Sequence, residues 1–404
     1  MKKINRWLIV LGALVIQLCL GAIYAWSVFV NPLREQYAYT ATQTQIIFSV
    51  GLATFAATMI FAGRLQDKIG PKKVAISGGV LLGLGYMLAS FTSGNFIGMV
   101  ATIGLISGIG IGLGYVCPIA ALIKWFPDMR GFITGLAVAG FGAGAWFFAQ
   151  IASRLMESIG IMATFLRMGI IFFVSIVLAS FLLVNPPEGW KPKGWNPKLK
   201  KGTKAGKQAS SDYDWHHMLK TKQFWMLWLM FTFASIAGLM VIGNLYPFGI
   251  YSGLMPAIAA STVGILAIFN GAGRIGWGWI SDKLGRTKSM MLMFVFQGIM
   301  MFMLMRMGST ALLLGIGSAW VGFNYGGVFA LFPSACADFF GTKNIGVNYG
   351  LMFTSYGVAG IVGPILGGRV FDLTGSYLYA FIPAGILCLI AAGISLMTKA
   401  PEAD

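Results

Sequence analysis

Apolar residues run through this chain in long stretches, and polar or charged residues are confined to short segments between them. Stretches of roughly 18 or more apolar residues recur, long enough as helices to cross a hydrocarbon core of about 30 Å. No strand-like alternation of apolar and polar positions competes with them. The pattern predicts an all-α integral membrane protein with twelve transmembrane helices. The predicted spans are 7–30, 44–65, 74–92, 96–123, 131–156, 162–184, 223–250, 258–281, 288–308, 309–337, 346–370 and 376–398.

Composition strengthens this prediction and excludes several functional classes. Of 404 residues, 57% are hydrophobic and 10% are charged, whereas a soluble domain carries about 25% charged residues. The first apolar stretch continues without a small-residue cleavage site, which favours a retained span over a signal peptide. The four cysteines are far apart in or near predicted spans, and the two histidines are adjacent in a hydrophilic segment. We therefore expect no disulfide framework, metal site or cofactor.

The distribution of positive charge predicts how the chain crosses the membrane. Of 29 Lys and Arg residues, 23 lie at the termini or in the connections that follow even-numbered spans. Basic residues accumulate on the cytoplasmic side of a cell membrane, so both termini are predicted to be cytoplasmic. Because the excess charge of +17 follows the sides of the membrane, it indicates a lipid bilayer and not nucleic acid as the partner.

Two segments of the chain repeat each other. "GRLQDKIGPKK" (63–73) and "GWISDKLGRTK" (278–288) match at a constant offset of 215 residues. The repeat indicates two pseudo-symmetric six-helix bundles, residues 1–184 and 223–404. Between them, residues 185–222 form a predicted cytoplasmic basic linker that ends in a short surface helix.

Each copy of the repeat places an aspartate beside basic residues at a helix end. Such charges can pair across a helix junction that opens and closes, which predicts a gate; a loop that only sets orientation and makes a tight turn is the alternative. Two copies at equivalent positions favour the gate. The candidate gating residues are Asp67, Lys68, Arg130, Asp282, Lys283 and Arg286.

The paired motif, the twelve spans and the long central segment resemble the major facilitator superfamily. The stretches "YAWSVFVNPL", "KWFPDMRG", "NGAGRIGWGWISDKLGR" and "ALFPSACADFFG" are similar to its bacterial branch of oxalate/formate antiporters and monocarboxylate transporters. The resemblance implies two bundles around a central site near the bilayer midplane, open alternately to either side.

Arg274 lies inside the eighth predicted span, eight residues before Asp282 and therefore about 12 Å deep. Arginine at that depth costs about 2.5–3.5 kcal/mol unless it has a partner or a wet cavity. All twelve acidic residues lie in loops, tails or near span ends, so an incoming carboxylate is the hypothesised partner. Bonding to helix carbonyls or snorkelling to water is the alternative. The resemblance also puts a substrate-binding arginine at this position.

Asn270 lies one turn before Arg274 and is a second candidate, able to bond the substrate and to hold the guanidinium; a helix-to-helix contact is the alternative. Animal monocarboxylate carriers have an aspartate here and a lysine in span one, which this chain lacks. Oxalate/formate antiporters carry a second cation in span eleven, where this chain has Tyr356. One buried cation favours one carboxylate per substrate.

Aromatic residues are expected to complete the pocket, because tyrosine hydroxyls bond a carboxylate while the rings exclude water. Ordinary packing or an interfacial belt is the alternative for each of them, most of all for Tyr377. The candidates are Tyr24, Tyr115, Tyr325, Phe329, Phe353, Tyr356 and Tyr377.

The resemblance and the single cation together predict a secondary transporter of a small monocarboxylate such as lactate or pyruvate, with a proton as the co-transported partner. Anion exchange of the oxalate/formate type is the main alternative, and a membrane carboxylate sensor is a second. No catalytic set of buried groups indicates an enzyme. The protein is expected to function as a monomer in the cell membrane.

Overall fold

The computed structural model describes residues 5–126, 130–187, 213–341 and 345–401. These ranges form α-helices joined by short turns, with a 3₁₀ segment at Gly21–Ala25 and a π segment at Val100–Ile106. The helices are α1 Arg6–Leu20, α2 Ser27–Tyr37, α3 Ala41–Ile69, α4 Pro71–Ala89, α5 Phe96–Met99, α6 Ser107–Trp125, α7 Arg130–Ile159, α8 Ile161–Ser180, α9 Trp215–Leu219, α10 Lys222–Tyr251, α11 Pro256–Leu284, α12 Arg286–Met307, α13 Ala311–Phe340, α14 Ile345–Met352, α15 Thr354–Thr374 and α16 Leu378–Met397.

Within the described residues, twelve helical stretches are long and apolar enough to cross a membrane. The first is Arg6–Ala25 and the last is Leu378–Met397. The prediction of an all-α multi-pass membrane protein with twelve spans is confirmed. Three spans in the described residues depart from the continuous α-helix that apolarity alone predicted: the first at the 3₁₀ segment, the fourth at the π segment, and the eleventh at Phe353, between α14 and α15.

The repeated motif forms the same turn in both halves of the chain. Gly70 joins α3 to α4 with φ 87° and ψ 155°, and Gly285 joins α11 to α12 with φ 86° and ψ 158°. Each glycine donates its backbone N–H to the carbonyl four residues earlier, at 2.9 and 3.0 Å. A positive φ of this size favours glycine, because a Cβ would clash with the backbone. The sequence repeat is therefore a repeat of structure.

The six spans up to α8 and the six spans from α10 pack mainly within their own halves. The two halves meet where α3 packs on α15, α7 on α11 and α2 on α10. We call the end of the molecule with Arg6, Lys68 and Lys283 the basic end, and the opposite end, with Arg34 and Asp372, the far end.

A short helix, α9, precedes the seventh span. Asp214 caps it by accepting the backbone N–H of His217 at 2.8 Å and contacts the ring Nδ1 at 2.9 Å. The backbone hydrogen bond, followed by the histidine ring, lowers the pKa of Asp214. Tyr213 then ties this segment to the C-terminal half, since its N–H bonds the carbonyl of Phe340 at 3.0 Å. Residues 188–212 of the predicted linker lie outside the described residues.

Candidate functional site

The helix α11 has one buried polar face and one exposed apolar face. Asn270, Arg274, Trp277 and Ser281 recur at helical spacing and are all buried, with 6% of Arg274 exposed. Ile275, next to the arginine in sequence, is 64% exposed. The period of the helix therefore turns the guanidinium toward the interior of the protein.

Arg274 is held by one amide and one aromatic ring. Its Nε donates to Oδ1 of Asn270 at 3.2 Å, and its Cζ lies 4.5 Å from the centre of the Phe329 ring. Among the described residues it forms no ion pair, and both its Nη1 and the Nδ2 of Asn270 are buried without a hydrogen-bond partner. A buried cation stabilised only by neutral groups is energetically suited to an anion.

Close contact between α11 and α13 fixes these groups. A Cβ on Gly326 would lie 2.0 Å from the carbonyl oxygen of Asn270, and one on Gly273 would lie 1.9 Å from that of Phe323. Small residues let helix backbones approach each other in this way. The carbonyl oxygen of Asn270 thus lies against Gly326 of α13, which is one residue from Tyr325 and about one turn from Phe329.

Aromatic residues of the C-terminal half form one wall beside Arg274. Phe329 packs edge-on against Tyr325 at 5.3 Å and against Tyr356 at 5.7 Å, and Tyr356 stacks on Phe353 at 4.8 Å between ring centres. The hydroxyl of Tyr325 is buried and has no partner among the described residues. Four of the predicted aromatic residues are therefore brought together, and Phe329 joins them to the guanidinium.

The N-terminal half supplies the facing wall. Phe141 packs edge-on against both Tyr24 at 5.3 Å and Tyr115 at 5.2 Å, and Phe55 packs on Tyr115 at 5.2 Å. Phe55 also reaches across the interface to Phe353 at 6.0 Å. Sequence reasoning missed Phe55 and Phe141, because an apolar residue type within a span does not distinguish a buried site position from an exposed one.

The two walls are joined by one hydrogen bond between hydroxyl groups. Tyr24 and Tyr356 lie in different halves, and their hydroxyl oxygens are 2.9 Å apart. Tyr24 belongs to the 3₁₀ segment of span one, and Tyr356 follows the break in span eleven. At that break, Trp228 donates to the hydroxyl of Thr354 at 2.9 Å. The interruptions of the first and eleventh spans therefore lie where the two walls join.

Tyr377 is placed apart from the other predicted site residues. Its ring stacks on Phe371 at 4.3 Å and packs near Tyr251 at 6.1 Å and Phe248 at 6.5 Å. These residues belong to the ends of α10 and α15 at the far end of the molecule. In the part of the chain that the structure describes, no ring contact joins Tyr377 to the walls around Arg274.

The predicted gating residues lie at the basic end. Lys68 is exposed at the end of α3, and the ammonium of Lys283 lies 3.7 Å from the ring centre of Trp279, a residue 60% exposed. Lys283 thus faces outward along its own helix. The side chains of Asp67, Arg130 and Asp282 lie outside the described residues.

Arg286 is the gating candidate with a described ion pair. Its Nε lies 2.8 Å from Oδ2 of Asp338, near the end of α13, and its Nη1 donates to the hydroxyl of Ser281. Sequence reasoning did not single out Asp338, although it stands in the "ACADFF" stretch at a helix end. The bond ties the α11–α12 turn to α13 within the C-terminal half.

Comparison with known proteins agrees with this architecture. The model of the Major Facilitator Superfamily matches residues 9–364. An uncharacterized MFS-type transporter of Escherichia coli is 31% identical over 88% of this chain and 86% of its own length. The oxalate:formate antiporter of Oxalobacter formigenes is 30% identical over 97% of this chain and 91% of its own.

Monocarboxylate transporter 12 of Xenopus laevis is 26% identical over 98% of this chain and 91% of its own length. These relatives are transporters by name, not enzymes, and all three are matched over most of their length. The family model covers both halves of the chain and most of the spans that the structure shows. The chain therefore belongs to the major facilitator superfamily.

Proposed function

We propose that this protein is a secondary active transporter of small monocarboxylates such as lactate or pyruvate, driven by proton symport. Residues 1–184 and 223–404 act as the two moving bundles and 185–222 as their linker. Both termini face the cytoplasm, so the basic end is cytoplasmic and the far end faces outside. The protein works as a monomer in the cell membrane.

The observation that carries the proposal is the environment of Arg274. The guanidinium is buried, bonded only to the amide of Asn270 and covered by Phe329, and no described carboxylate contacts it. Removing one partner from a buried ion pair costs several kcal/mol, about 3–5. A substrate carboxylate that binds here supplies the missing anion, and alternating access lets it leave again.

The donors available near Arg274 favour one carboxylate. Nη1 of Arg274, Nδ2 of Asn270 and the hydroxyl of Tyr325 are buried and unbonded among the described residues. All three donate hydrogen bonds and only the first carries charge. A dicarboxylate would leave its second charge against neutral groups such as Tyr356. The relatives named as monocarboxylate transporters support this choice.

Proton coupling is tested by uptake into liposomes that contain the purified protein. We expect an inward proton gradient, at fixed membrane potential, to raise the initial rate of labelled L-lactate uptake several-fold. Loading the same liposomes with formate in the absence of a gradient should leave the rate unchanged. Uptake that follows internal formate and ignores the proton gradient would replace symport by the exchange that the Oxalobacter relative is named for.

The hydrogen-bonded hydroxyls of Tyr24 and Tyr356 predict that the protein distinguishes substrates by the group on their second carbon. We propose that Tyr24 donates the bond between the two hydroxyls, at 2.9 Å, which leaves the O–H of Tyr356 free to bond an oxygen on the substrate. We expect Tyr356→Phe to lower lactate uptake relative to propionate, which lacks that oxygen, by about tenfold, as for one buried hydrogen bond of ~1.4 kcal/mol. Competition of each acid against labelled lactate measures the ratio.

A matched control uses Tyr86, which is buried in the N-terminal half and packs on Phe165 and Phe172. Tyr86→Phe also removes one buried hydroxyl, and it should leave the lactate-to-propionate ratio as in the wild type. If Tyr356→Phe slows uptake of both acids equally, the Tyr24–Tyr356 hydrogen bond acts in closing the two halves and not in recognising the substrate.

A further inference from the structure

The first turn of α3 leaves two backbone donors that its own residues do not satisfy. Thr40 caps the helix by accepting the N–H of Gln43 at 3.0 Å, and the side chain of Gln43 accepts the N–H of Thr40 at 2.9 Å. This reciprocal box satisfies two donors of the helix start. The N–H groups of Ala41 and Thr42 remain, and no carbonyl precedes them at helical spacing.

Asp372, in the last turn of α15, accepts both of these bonds. Its Oδ1 is 3.0 Å from the N of Ala41, and its Oδ2 is 2.9 Å from the N of Thr42 and also bonds the Thr42 hydroxyl. A carboxylate at a helix N-terminus also interacts favourably with the helix dipole. This bond set joins the two halves of the protein, because α3 belongs to one half and α15 to the other.

The contact between α3 and α15 continues from Asp372 along both helices. At Gly368 a Cβ would lie 2.8 Å from the carbonyl oxygen of Ala41, so the backbones nearly touch. Ser49 then bonds the carbonyl of Ile361 at 3.3 Å. Farther along the two helices, a Cβ on Gly360 would lie 2.7 Å from the Cβ of Leu52, and one on Gly357 would lie 3.0 Å from the Cβ of Ala56.

The two basic residues nearest in sequence or contact to Asp372 do not compete with its role as a helix cap. The guanidinium of Arg34 lies over the ring of Phe371 at 4.7 Å, and Arg369 precedes Asp372 by almost one turn and is exposed. Neither has a described ion pair with Asp372. The two described N–H donors and the Thr42 hydroxyl are thus the partners that hold it.

We propose that Asp372 is the lock of the far end: it caps α3 from the opposite half, holds the far end closed, and must let go each time the protein opens on that side. The conformation described here, with α3 and α15 in close contact at the far end, is the state that this lock stabilises. This proposal rests on the proposed transport function, because opening at the far end is one step of transport.

The lock is tested by distance measurement, which requires no substrate and therefore separates its failure from failure of the transport proposal. Spin labels on Ser93→Cys and Met255→Cys, both exposed in far-end loops of opposite halves, report opening by double electron–electron resonance. The four native cysteines are buried. We expect Asp372→Asn to add a population with a longer separation than the main wild-type distance.

A second variant removes a bond from the other partner without removing the carboxylate. Ala41 is the first residue of α3, where proline fits a helix and only lacks the N–H; the preceding Thr40 is already extended, with ψ 159°. We expect Ala41→Pro to give the same longer distance. Glu157→Gln, which neutralises an exposed acid at the far end of α7, is the control and should keep the wild-type distribution.

Wild-type distances in both Asp372→Asn and Ala41→Pro would overturn the proposal. A lengthening of equal size in Glu157→Gln would also overturn it, because the effect would then follow from the loss of any far-end charge. Lengthening in the two lock variants alone assigns the effect to the cap itself.

Discussion

Arg274→Ala protein in liposomes is expected to take up labelled lactate more than about 100-fold more slowly than the wild type. The substitution removes the buried charge that pairs with the carboxylate, and charge-assisted bonds of this kind contribute roughly 3 kcal/mol. Arg274→Lys should recover only part of the rate, because an ammonium cannot form two parallel bonds to a carboxylate. Initial uptake rates at equal protein content measure both effects.

Arg306→Ala is the matched control for this loss. Arg306 is an exposed arginine in the last turn of α12, so its removal also lowers the net charge by one without touching the aromatic walls. It should transport lactate at close to the wild-type rate. If Arg274→Ala retains full uptake, the guanidinium is not the substrate-binding group.

Gly326→Ala is expected to give the second large effect, on stability as well as transport. The new Cβ would lie 2.0 Å from the carbonyl oxygen of Asn270, so α11 and α13 must separate. Overpacking of this kind costs about 1–3 kcal/mol or more. The shift also moves Asn270, which holds Arg274 by its amide. We expect the Tm in detergent to fall by several degrees and lactate uptake to fall with it.

Gly393→Ala tests the same chemical change where space is open. Gly393 lies within α16, and a Cβ there would meet nothing within 4 Å. Because alanine is the better helix former by about 1 kcal/mol, this variant should have a Tm equal to or above that of the wild type. A wild-type Tm for Gly326→Ala would show that the two helices are not held by backbone contact.

The twelve spans could be predicted from the sequence because hydropathy measures the length of apolar segments, which a bilayer fixes physically. The breaks in spans one and eleven could not be predicted in the same way. Gly21–Ala25 and Phe353 lie in mainly apolar stretches, and the contacts found at the breaks, such as the bond of Trp228 to Thr354, are made with other helices. These contacts join residues distant in sequence.

In the candidate site, too, contacts between residues close in sequence could be predicted, and contacts between distant residues could not. Asn270 and Arg274 are four residues apart on one helix, so their hydrogen bond follows from helical geometry. Phe141 in the wall is buried, while Phe147, on the same helix, is 43% exposed, and their residue type does not distinguish them. Asp372 could be placed near a span end from the sequence. Its partners Ala41 and Thr42 could not be predicted, because they lie near the other end of the sequence.

The measurement that tests the central claim most directly is equilibrium binding of L-lactate and of lactamide, its neutral amide, to purified wild-type and Arg274→Gln protein by calorimetry. If the carboxylate pairs with Arg274, the wild type binds lactate about 100-fold more tightly than lactamide. The variant should then bind both weakly and equally. An Arg274→Gln protein that keeps the wild-type preference for lactate would contradict the account.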